Sequence, residues 1–209
     1  MAAVLGRLAV VLLAAAGLIA VYLTVALAAD VDPVTTVVSD YAFYRPGPVL
    51  LVLGAVLLVA GGVAVLAGLM SLRLTKRPAL WALFVLWALS LLLCVAATPD
   101  PERGASSFSG DVHSVAAACV LISFPLAAWT ASSVVAEHRP WPGVVMRVRR
   151  LLVVGGLAGV VFGLCQFPTS AVTLWVPVGD VEGLVERVAL WTELAVWFTM
   201  ARSIARSTG

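Results

Sequence analysis

Charge is scarce in this chain: Lys, Arg, Asp and Glu together make up 11% of its 209 residues, where a soluble domain carries about a quarter. With 62% hydrophobic residues and a mean hydropathy of +1.09, that scarcity excludes an ordinary water-soluble fold. No basic run or domain offers itself to nucleic acid, and the net charge is only +2. Cysteine is equally thin. Cys94, Cys119 and Cys165 are odd in number, lack CxxC spacing and fall inside apolar stretches, which excludes a disulfide framework and makes them small packing residues. Two histidines, His113 and His138, are expected on opposite sides of a membrane, so a multi-histidine zinc site is excluded and no metal or cofactor is expected. An internal repeat, the mark of many transporters, is missing as well.

What is abundant is long apolar runs. Bilayer hydrocarbon about 30 Å thick needs roughly 20 apolar residues per helical crossing. Runs of that length bounded by charge, Pro or Gly fall near residues 8–29, 49–70, 79–98, 112–135, 151–168 and 187–205. The sequence therefore predicts an all-α, polytopic transmembrane bundle of six helices forming a single domain. Between the runs lie Asp30 to Pro48, Ser71 to Pro78, Pro99 to Asp111, Ala136 to Arg150 and Thr169 to Glu186.

Charge on these connections alternates. With the N-terminus in the cytoplasm, the inner segments hold Arg7, Arg73, Lys76, Arg77, Arg139, Arg147, Arg149, Arg150, Arg202 and Arg206, and the outer ones hold Arg45, Arg103 and Arg187. The positive-inside rule then places both termini in the cytoplasm of a plasma-membrane protein. Asp30, Asp32, Asp40, Asp100, Glu102, Asp111, Asp180, Glu182 and Glu186 collect on the outer side. Arg7 before an apolar run and Ala26-Leu27-Ala28 after it resemble a secretory signal, but the run from Leu8 to Ala29 is long enough to cross, and an uncleaved helix is expected.

Gly155, Gly159 and Gly163 recur every fourth residue, giving a smooth stripe for close helix approach, with Gly61 and Gly62 as a second such place. Trp81, Trp87, Trp129, Trp141, Trp175, Trp191 and Trp197 are expected chiefly as interfacial anchors. Arg147-Val148-Arg149-Arg150 is the densest basic cluster and fits the setting of topology, with anionic headgroups as a further contact.

Ionisable groups in or beside the spans carry the functional information, because they are expensive in hydrocarbon unless paired or facing a cavity. Glu193 lies about two turns into the last span and shares a helix face with Glu186, seven residues earlier. Gln166 lies near the outer end of the fifth span. Ser109 is expected to cap the fourth helix, with Asp111 in its first turn and His113 a turn below the surface. The topology brings the outer ends of the last four spans to one level, which predicts a polar patch of Asp100, Asp111, His113, Gln166, Glu186, Arg187 and Glu193. Ser39-Asp40-Tyr41 from the first outer loop would close over it. Catalytic candidates are His113, Asp100, Asp111 and Glu193; ligand-binding candidates are Ser39, Asp40, Gln166, Glu186 and Arg187.

Three readings compete for this patch. It is an ion-pair cluster that fixes the bundle; or a hydrolase-like site in which a metal or a His–carboxylate pair activates water against a lipid-borne ester or amide; or a site that recognises or moves a lipid, amphiphile or ion. Membrane lipids are the expected partners, and protein partners stay open.

In order along the chain, Ser39-Asp40-Tyr41, Pro99-Asp100, Gly110 to His113 and the Gly-x-x-Glu-Arg of Gly183 to Arg187 resemble the prokaryotic membrane proteins of domain-of-unknown-function family 998. The resemblance spans most of the chain. It implies six spans and an outer polar set of Asp40, Asp100, His113, Glu186 and Arg187, and it brings no activity with it. Binding or processing of a lipid or small amphiphile at the outer cluster is the functional expectation. A non-catalytic structural or regulatory subunit, or a small transporter, is the alternative.

Overall fold

In a medium without water every backbone N–H and C=O must be satisfied within the chain, so apolar runs this long become helices even where they are rich in β-branched Val. A computed structural model describes residues 1–74, 77–100, 107–138, 141–165 and 181–207. They form α1 (Ala2–Ala26), a short 3-10 helix (Val38–Phe43), α2 (Gly47–Ser71), α3 (Pro78–Ala96), α4 (Phe108–His138), α5 (Pro142–Cys165) and α6 (Glu182–Arg206), and no strand occurs among the described residues. Five of these, α1 to α5, are long and apolar enough to cross a membrane. The sixth helix is as long as α1 but holds Glu182, Glu186, Arg187, Glu193, Arg202 and Arg206.

Sequence punctuation explains the boundaries. Pro stands in the first turn of α2 and of α3, where its missing N–H costs nothing. α2 stops on Arg73 in the left-handed region (φ 60°), with Arg73 N–H donating to Met70 O at 2.8 Å and Leu74 N–H to Leu69 O at 3.0 Å. α5 begins at Pro142, well before the expected residue 151. Arg147, Arg149 and Arg150, expected in a loop, lie on its first turns, because long basic side chains reach the interface from inside a helix.

The helices close a ring in chain order. Each of α1 to α6 packs on the next, and α6 returns to α1 while also touching α2. Gly6 of α1 abuts the backbone of Ala201 and Ala205, and Gly68 of α2 abuts Ile204, so α6 is pressed against both. That sheltered position is why α6 tolerates charge: Glu182, Arg187, Thr192 and Glu193 are all buried. At the centre Phe84, Trp87, Phe124 and Trp197 form an aromatic cluster with ring centroids 5.3 to 6.2 Å apart. Trp87 and Trp197 are thus core residues rather than interfacial anchors, whereas Trp81, Trp129 and Trp191 are exposed. Trp175 lies outside the described residues.

The glycine stripe is only partly used. A Cβ on Gly155 would lie 2.8 Å from Thr192 Cγ2, so α5 and α6 meet there, but nothing lies within 4 Å of one on Gly163. Gly61 and Gly62 do serve close packing, against Leu13 and against Phe84 and Trp87.

Candidate functional site

Three polar groups occupy the bundle, two at the end where α6 begins and one deeper. The first is built on the N-terminus of α6. A helix start presents free N–H groups and positive potential, and here the segment after α1 folds over it: Leu184 N–H donates to Val34 O at 2.9 Å. Gly183 permits this approach, since a side chain there would collide with the Thr36 carbonyl. Arg187 Nη1 donates to Pro33 O (2.8 Å), Thr36 O (2.6 Å) and Gly183 O (3.0 Å), and Nη2 donates to the Tyr41 hydroxyl at 2.8 Å. Val38 N–H in turn donates to Glu186 Oε2. The pair therefore fastens the first connection to the last helix through backbone groups. Ser39 and Asp40 lie half-buried on the 3-10 helix, and Asp40 is within electrostatic reach of Glu186.

The second group joins α3 to α4. Ser107, not Ser109, caps α4: its Oγ accepts from Gly110 N–H at 3.0 Å, and Ser109 instead donates to Thr98 O at 3.0 Å. The helix starts two residues earlier than Ser109 alone suggested because Ser107 supplies the cap. Asp100 accepts from Ser107 N–H at 3.2 Å and packs against Gly110, while Asp111 stands exposed in the first turn. His113 Nδ1 lies 2.8 Å from Cys94 O and 3.1 Å from Ala97 O. Carbonyls only accept, so Nδ1 carries the proton and the ring caps the last turn of α3.

The third group is Glu193. Its Oε1 accepts a hydrogen bond from Trp87 Nε1 at 2.7 Å, buried inside the aromatic cluster. The neighbouring Trp197 indole nitrogen has no partner among the described residues. Beside Glu193 a crevice of about 20 Å³ lies between α4, α5 and α6, with Leu121, Phe124, Pro125, Leu152, Gly156 and Thr192 in its wall. Gln166 lies outside the described residues, and so does any part it plays here.

Among the described residues no three His, Cys, Asp or Glu side chains gather as a metal-ligand set. Asp100, Asp111 and His113 share one hairpin, Glu186 and Arg187 hold the first connection, and Glu193 faces inward. Thr192 and Ser107 belong to these groups with no signal of their own in the sequence, and Trp87 belongs to them although expected as an interfacial anchor. Trp87 was findable: a mid-span indole needs an acceptor, and Glu193 is the acid at that depth.

The order of motifs and the helical architecture have a counterpart in a described family. "Protein of unknown function (DUF998)" matches residues 4–203. The chain belongs to this family. The match takes in every DUF998 feature described above, from α1 to Ile204's neighbour Ser203 on α6. No curated protein and no solved structure matches the chain.

Proposed function

We propose that this DUF998 protein is a six-span plasma-membrane protein with both termini in the cytoplasm, which binds a lipid or small amphiphile between α4, α5 and α6. The carrying observation is the buried Glu193, held by Trp87 on the wall of an otherwise apolar crevice. One polar group set in an apolar cleft is the usual composition of a small-molecule site. As it stands, about 20 Å³ admits roughly one water, so an acyl chain enters only if α5 yields. The packing favours that movement: 11% of α5's apolar stretch is buried, against 28 to 39% in the other four.

A sixth crossing by α6 is supported by the burial of Glu182, Arg187 and Glu193, with the exposed Arg202 and Arg206 confined to its last turns, and the excess of Arg on one side supports the orientation. Binding is favoured over processing because His113 is spent on the carbonyls of α3. The polar groups at the α6 end support a second reading, a non-catalytic structural or regulatory subunit, since Arg187 and Glu186 bind the chain's own backbone.

Native mass spectrometry of the purified chain tests the binding reading. Gly156→Leu projects into the crevice from a position where a Cβ meets nothing within 4 Å, so the fold is kept while the space is filled. A co-purifying amphiphile on the wild type that is lost in Gly156→Leu is the expected result. Equal retention by both, or none on either, rejects the site in favour of the structural reading.

A further inference from the structure

At the opposite end of the bundle, the basic cluster of α5 meets an aromatic ring of α4. The guanidinium carbon of Arg149 lies 4.8 Å from the centroid of Trp129. Trp129 is 49% exposed, on a helix whose neighbouring Leu126 also faces outward, so the ring stands at the lipid boundary. Arg149 Nε is buried without a partner, and among the described residues no carboxylate pairs with Arg147, Arg149 or Arg150. Glu137, the acid at this end, is occupied by Arg77.

We infer that Arg149, stacked on Trp129 and flanked by Arg147 and Arg150, is a binding site for the phosphate of an anionic phospholipid in the cytoplasmic leaflet. A guanidinium lying over an aromatic face keeps its terminal Nη N–H groups free and pre-ordered, and that planar fork matches phosphate oxygens in pairs. Stacking also removes rotamer freedom before the ligand arrives, which lowers the cost of binding. The exposed Arg147 and Arg150 add long-range attraction. A lipid is preferred to a free anion because Trp129 offers a membrane-level surface on which glycerol and acyl groups can lie.

The leaflet rests on the orientation proposed above; the site itself does not. Full-length protein in neutral detergent would be offered phosphatidylglycerol and phosphatidylcholine with identical acyl chains, and bound lipid counted by native mass spectrometry. The wild type is expected to retain phosphatidylglycerol preferentially, with the preference falling about fivefold in Arg149→Gln and in the exposed Arg150→Gln. Arg149→Lys should not restore it fully, since an ammonium lacks the fork. Arg206→Gln, a basic residue of α6 outside the cluster, should leave it unchanged. Equal retention of the two lipids, loss in Arg206→Gln equal to that in Arg149→Gln, or displacement by equimolar inorganic phosphate would overturn the proposal. Labelling of Ser207→Cys in intact cells separately reports the orientation: labelling from outside would move the site to the other leaflet without removing it.

Discussion

Trp87 Nε1 and Glu193 Oε1, 106 residues apart in sequence, meet at 2.7 Å in the middle of the bundle. The bond joins α3 to α6, where Phe84 and Trp87 also meet the Trp197 ring. A carboxyl group at that depth is stable because the indole meets it, and the indole because the carboxyl accepts its proton.

Removing one partner should therefore cost more than changing the charge. Trp87→Phe leaves Glu193 without its donor and is expected to destabilise by about 1–3 kcal/mol. Glu193→Gln keeps an acceptor oxygen at the same place and should be close to neutral. Dodecyl-sulfate unfolding of the detergent-solubilised variants measures both; equal losses would show that the bond contributes nothing specific.

Arg187 satisfies two carbonyls of the first connection and the Tyr41 hydroxyl. Hydrogen bonds from a charged donor are worth roughly 1.5–3 kcal/mol. Arg187→Ala should accordingly free the stretch between α1 and α2, seen as faster amide exchange over residues 31–44 with α3 and α4 unaffected. Tyr41→Phe removes the bond from Arg187 Nη2 and a long one to Thr24 Oγ1 but leaves both carbonyl bonds, and should produce a smaller increase in the same segment.

Two adjacent glycines of α5 should behave oppositely. Gly155→Ala forces a methyl against Thr192 and should destabilise by about 1–3 kcal/mol. Gly156→Ala meets open space and should be neutral or slightly stabilising, as helix propensity favours Ala over Gly by about 1 kcal/mol. Thermal unfolding of the two variants side by side is the check.

Ser107→Ala deletes the acceptor for Gly110 N–H and should cost about 1 kcal/mol. Ser109→Ala removes only a bond to Thr98 O and should cost less, although Ser109 is the more conspicuous cap in the sequence. A reversed order would place the start of α4 two residues later.

Hydropathy made the helices legible because lipid leaves the backbone no alternative, and the boundaries set by Pro46, Pro48 and Pro78 followed from proline's missing donor. Boundaries blurred where basic side chains extend from inside a helix, as on α5. Trp87 and Trp197 read as candidate interfacial anchors because sequence shows an amphipathic ring and not its neighbours; only helix order decides that the rings face each other. Of the polar residues expected in one patch, Asp100, Asp111, His113, Glu186 and Arg187 lie near helix termini, Glu193 lies in the middle of the bundle, and Gln166 falls outside the described residues. Their partners were illegible: Arg187 bonds to carbonyls of Pro33 and Thr36, and backbone acceptors leave no mark in side-chain identity.

The ring that α6 closes against α1 has a meaning for biosynthesis. A ribosome that has released the chain through Cys165 has made five greasy helices, but neither the cation that fills the first connection's carbonyls nor the acid that meets Trp87. Residues of α1 and of the connection after it thus wait for residues of α6. Without α6, the faces of α1 and α2 that it covers have no partner among the other described helices, so a chain cut short before Glu182 is expected to leave an open edge there.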